Sequence, residues 1–181
     1  MIKLIHISIF ILTLTLVSCS GQQVEFGSWK AFQSYLNNPQ NGFVLKEEVK
    51  GFIYEVKITP PTTESKEELT INLRINRENG TAVLNDNQFS QTEIMQIEHY
   101  FSFGITDDIT LSSPGIKATP AFVHYERNYQ LKPSIDIIID FNGIKQGEDY
   151  SFKFTDRAFS QETIEFQINQ ELLSICNVEK S

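Results

Sequence analysis

The chain has 181 residues, with 15 lysines and arginines against 23 aspartates and glutamates, a formal charge of −8 at pH 7. That balance disfavours nucleic acid, whose phosphates need clustered cations, and a polybasic grip on anionic lipid. An apolar content of 40%, rich in Phe and Ile, supports one domain with its own core and favours strands.

In chain order, Lys3 gives a positive start and Leu4–Val17 (LIHISIFILTLTLV) an apolar run. The run falls short of the about 20 residues that span a bilayer, and polar residues follow at once. Residues 1–18 therefore read as a removable signal. Its end, Leu16-Val17-Ser18-Cys19, resembles the bacterial lipobox. The resemblance implies a diacylglycerol on the Cys19 thiol, cleavage just before it and acylation of the new amine. Two or more acyl chains anchor stably where one does not, so the lipid bilayer becomes the first partner. In enteric lipoproteins an acidic residue after the cysteine favours the inner membrane. Ser20 stands there, which implies the outer membrane of a bacterial cell envelope, with the leaflet open. Bacteroidetes-type lipoproteins can carry an acidic surface-export signal at this place, and SGQQVEF offers only Glu25. The Ile-, Asn- and Phe-rich body also resembles small lipoproteins of that type, a likeness that transfers no site residues. Without Lys3 the mature chain has 14 bases against 23 acids, near −9.

Residues 19–27 read as a lipidated tether and 28–181 as a single β-rich domain. Ser28 suits an N-cap for a short helix, with Trp29, Phe32 and Leu36 on one stripe and Asn37-Asn38-Pro39 as its stop. Two strands follow, turning at Lys50-Gly51, with Phe52, Tyr54, Val56 and Ile58 on one face. Leu69, Ile71, Leu73 and Ile75 mark the next strand, and Asn79-Gly80 a turn, with TAVLNDN as a short returning strand. Ser90 and Glu93 form a capping-box pattern for a helix through Ile94, Ile97 and Phe101, with Gly104 as its far cap. Further strands are expected in DDITLSS, AFVHYE, SIDIIIDF, DYSFKFT and ETIEFQI, and a short helix or extended end in NQELLSICNV. The sum is a mainly β fold: an antiparallel β-sandwich of about seven or eight strands with two or three short helices. The alternative is one curved sheet with the middle helix on its concave face.

Chemistry is sparse. The mature histidines, His99 and His124, lack the short ligand spacing of a metal site, and no Gly-x-Ser-x-Gly elbow is present. No catalytic residue, metal or cofactor is assigned. Asn85–Asn87 and Asp107-Asp108 read as solvated loops rather than Ca²⁺ ligands. With Cys19 acylated, Cys176 has no disulfide partner and reads as a buried, inert thiol, with a reactive thiol as the sharper alternative. In HYERNY, the residues Tyr125, Arg127 and Tyr129 are candidate partner contacts, since Tyr and Arg are favoured at interface hot spots. The expected role is a non-enzymatic, membrane-anchored module that binds another envelope protein. Two alternatives stand beside it: an envelope hydrolase using Asp136, Asp140 and Asp149, and an immunity or inhibitor lipoprotein whose acidity steers it to a basic toxin.

Overall fold

A computed structural model describes residues 25–85, 88–127, 132–174 and 176–178. Cys19, Asp86, Asn87 and Tyr129 lie outside the described residues. The elements are β1 (Glu25–Phe26), α1 (Trp29–Leu36), β2 (Val44–Val49), β3 (Phe52–Thr59), β4 (Leu69–Arg77), α2 (Gln91–His99), β5 (Ile109–Ser113), β6 (Ile116–Ala118), β7 (Phe122–Glu126), β8 (Ile135–Phe141), β9 (Tyr150–Thr155), β10 (Thr163–Ile168) and β11 (Asn177–Val178). Among the described residues no helix is long and apolar enough to cross a membrane.

The strands form a five-stranded sheet ordered β2-β3-β4-β8-β7 and a four-stranded sheet ordered β10-β9-β5-β6, antiparallel throughout. Strand alternation gives each sheet an apolar face. Tyr54, Val56, Ile58, Leu69, Ile71, Leu73, Ile137 and Ile139 come from the first; Ile109, Leu111, Phe152, Phe154, Ile164 and Phe166 come from the second. All belong to one core. Rings meet across the layers, Tyr54 with Phe154 at 6.2 Å and Phe141 with Phe152 at 6.3 Å. The fold is thus a β-sandwich; the curved-sheet alternative gives way because each apolar face covers the other.

Local signals explain most elements. Lys50 (φ 49°) and Gly51 (φ 80°) make the two-residue turn between β2 and β3, the kind that matches strand twist. Ser28 caps α1 by accepting from the Ala31 N–H. Ser90 and Glu93 close the full capping box of α2. Three expectations need correction. TAVLNDN forms no strand over its described part: the Val83 N–H goes to the Pro133 carbonyl and its side chain is buried in the core. Gly104 is not a left-handed cap, since its φ is −100°; α2 runs on through a π-helical turn (Tyr100–Gly104) and a 3₁₀ turn (Ile105–Asp108). A Cβ at Gly104 would stand 3.1 Å from the Tyr100 ring, so the glycine serves close approach. The domain also starts earlier than Ser28. β1 pairs in parallel with β11, and Phe26 is buried against Phe32 and Tyr35. Glu25 and Phe26 therefore belong to the folded domain.

The sandwich has two distinct ends. β3 runs from Phe52 to Thr59. At its Thr59 end sit α1, whose Gln33 takes a hydrogen bond from Lys57, and the Thr62–Cys176 bridge beside β11. At its Phe52 end sits the α2 region, where Phe159 stacks on Phe52 and on Phe101.

Candidate functional site

The five-stranded sheet has two edges, β2 and β7. β2 carries Lys46, Glu47 and Glu48, all exposed, the charged chemistry that discourages strand pairing. β7 carries Phe122-Val123-His124-Tyr125-Glu126 and has no lysine. Phe122 is 53% exposed, and its ring stacks on exposed His124 at 6.1 Å and 12°. Pro120 sits in the short link from β6 to β7, where the chain passes between sheets and where an unpaired proline costs no ladder bond.

The end of β7 lies against the π turn. Arg127 donates to Ser102 Oγ at 3.1 Å, and Ser102 Oγ donates back to the Glu98 carbonyl at 2.7 Å. Together Ser102 and Val123–Arg127 line a groove of about 610 Å³. Beside it Phe103 is 72% and Met95 62% exposed. Met95, His99 and Phe103 recur every four residues, which places them on one outward stripe; His99 and Phe103 rings are 5.1 Å apart. Exposed aromatics thus stand at both ends of β7, Phe122 with His124 at its start and Phe103 in the π turn beside Arg127, and exposed apolar rings along an open sheet edge mark a candidate interaction surface.

Two buried carboxylates fix this corner. Asp156, fully buried, accepts from Tyr54 Oη, from Ser160 Oγ and from the N–H groups of Ala158, Phe159 and Ser160. Asp108 accepts from Tyr100 Oη at 3.0 Å and from Arg157 at 2.6 and 2.8 Å. Burial first, and then the neighbouring carboxylate, push the Tyr54 and Tyr100 phenols far above 10. Burial, with the Glu98 charge adding, raises Tyr125 to about 12.

The outward face of the same sheet carries a second groove, about 590 Å³, between α1 and the strands. The register lines Glu126, Asp136, Arg74, Glu55 and Lys46 in one row across β7, β8, β4, β3 and β2. Arg74 donates to Asp136 at 2.5 Å and Lys46 pairs with Glu55 at 2.8 Å. Two pairs are thus satisfied within the row, while Glu126 pairs with Lys132 at 3.5 Å from outside it. Lys57, in the adjacent row, bonds Gln33 at 3.0 Å, and its amine is pushed down by burial and by Arg74.

The sequence candidates fall out as follows. Tyr125 turns inward, 7% exposed, and packs on Phe101 at 5.7 Å. It supports the candidate surface from beneath, and Phe122 and His124 hold the exposed face. Arg127 is exposed and borders the groove. Sequence reasoning passed over Phe122 and Phe103, although an aromatic next to a proline link and a Phe before Gly104 were available signals. Asp136 is held by Arg74 and Ser134, Asp140 accepts from Thr70 at 2.6 Å, and Asp149 accepts from the Gln170 N–H at 2.7 Å. Each acid has its own structural partner, and Asp149 stands apart, just before β9 in the other sheet. Cys176 is buried, and burial raises its thiol pKa. Among the described residues no group of three or more His, Cys, Asp or Glu side chains is placed to hold a metal. Comparisons with protein-family models, with curated proteins and with solved structures each gave no match to this chain.

Proposed function

We propose that this protein is a lipid-anchored module of the bacterial cell envelope, held by acylated Cys19, that binds an extended segment of another envelope protein along β7. The lipobox-like Leu16–Cys19 supports the anchor. The observation that carries the binding role is the contrast between the two sheet edges. β2 is guarded by charge, whereas β7 leaves an edge open beside exposed Phe122, His124 and Phe103. Strand addition at such an edge draws affinity from main-chain hydrogen bonds and specificity from alternate side chains. Glu126 and Arg127 at its far end favour a partner strand with charges of both signs.

A photo-crosslinking amino acid placed at Phe122 in the full chain, in cells, tests this. A discrete adduct from position 122 that is absent from position Glu48, and that disappears when His124→Lys charges the edge, is the expected result. Equal labelling from both edges, or none from 122, rejects the reading. The hydrolase alternative has no geometric observation behind it, since Asp136, Asp140 and Asp149 each serve a separate structural contact.

A further inference from the structure

We infer that the Trp29 ring seats in the interfacial layer of the bilayer and orients the domain with its α1 end down, an inference that rests on acylation of Cys19. Trp29 is 52% exposed, while Phe32 and Leu36 on the same helix are fully buried. Its aromatic contact is with the Phe32 ring at 5.2 Å, so much of the indole faces outward. Chain connectivity puts that ring near lipid. β1 begins at Glu25, so five residues, Ser20 to Val24, separate the domain from Cys19. Fully extended they reach about 20 Å. β1 and α1 pack together through Phe26 and Phe32 at 5.1 Å, so Trp29 travels with the tethered end.

An indole has an apolar body and one polar N–H, and tryptophan concentrates at membrane interfaces for that reason. A short tether holds it at an effective concentration on the order of millimolar or above, so one ring suffices to bias orientation. The loop from β3 to β4 stands at the same end and exposes Glu64, Glu67 and Glu68. Exposed Lys66 in that loop and Lys30 beside Trp29 offset part of this acidity, so zwitterionic headgroups suit the contact. In this pose the eight residues of β3 carry the α2 end, with Met95 and Phe103, roughly 23 Å farther from the bilayer. Phe122, aligned through Asp140 and Thr70 with Thr59, then stands at the lower end, and β7 rises from it towards Arg127 and the π turn.

Trp29 is the only tryptophan in the chain, so its fluorescence reports this contact alone. The full-length protein, purified with its native lipid, is placed in phosphatidylcholine vesicles, and the mass of the Cys19 fragment is measured on the same sample. With Cys19 acylated, bromine on the acyl chains should quench Trp29 about twofold or more, and aqueous iodide should quench it correspondingly less than in detergent-free solution of the unlipidated protein. Moving the probe by Trp29→Phe with Phe103→Trp should abolish quenching by bromine and restore quenching by iodide. Acylated Cys19 with Trp29 open to iodide and untouched by bromine overturns the orientation and leaves the anchor standing. Equal bromine quenching at both probe positions also overturns it. A Cys19 without lipid removes the anchor, and the orientation with it.

Discussion

The two ends of the sandwich are closed by different chemistry. At the α1 end, Phe26, Phe32, Tyr35 and Phe43 interlock with centroids 5.1 to 5.6 Å apart. At the α2 end, Asp156 and Asp108 sit buried, gathering Tyr54, Ser160, Tyr100 and Arg157. Apolar burial is non-directional and tolerates small shifts. A buried carboxylate must keep each donor in place, because losing one leaves a desolvated charge. The difference teaches where position matters: the polar end fixes the π turn, and through it Ser102 and Phe103 beside β7. The α1 end is closed by apolar packing alone among these four rings.

Breaking the polar end should have the largest effect. Asp156→Ala removes an acceptor for five donors and should cost on the order of 5 kcal/mol, read by urea denaturation. At the apolar end, Phe32→Ala should cost about 4 kcal/mol through lost contact and a cavity; it should leave crosslinking from position 122 intact in the folded fraction. Alkali should separate the two ends without mutation. The buried phenols of Tyr54, Tyr100 and Tyr125 keep their protons above the ordinary value of 10, while the unfolded chain releases them. Their stabilisation is therefore complete below pH 10 and falls as pH rises, by about 1.4 kcal/mol per unit for each phenol. Denaturation midpoints between about pH 9 and 12, repeated with Tyr54→Phe and Tyr100→Phe, should show a shallower decline in each variant. Ser90→Ala opens the capping box of α2 and should cost about 1 kcal/mol, with a smaller shift in the thermal midpoint. Least costly is Phe122→Lys with His124→Lys, which gives β7 the chemistry of β2. Stability should change by less than about 1 kcal/mol, and partner crosslinking should disappear.

Much of this contrast was unequal in its legibility. The apolar face of β3 and β4 was readable because strand geometry alternates side chains with period two, and every residue from Phe52 to Ile58 and Leu69 to Ile75 fell on its expected face. The helix starts were readable because Ser28, Ser90 and Glu93 meet backbone donors within three residues. β1, β6 and β11 span two or three residues each, too few to leave a period. β7 was ambiguous because each of its faces carries an aromatic: Phe122 with His124 and Glu126 on one, Tyr125 with Val123 on the other. Asp156 left a faint local trace, as its carboxylate takes the N–H groups two and three residues on; its bond to Tyr54, 102 residues away, left none.

The sequence by itself determined the alternating strands, the capped helix starts, the Lys50-Gly51 turn and the acidic balance of the chain. Each of these follows from covalent geometry or from partners a few residues apart. Only the tertiary structure decided that β8 lies between β4 and β7, that Phe26 joins the core and that Tyr125 turns inward while Phe122 and His124 stay in solvent. Those outcomes depend on which distant apolar faces cover one another best, and burial is settled by the assembled layers, not by any one segment.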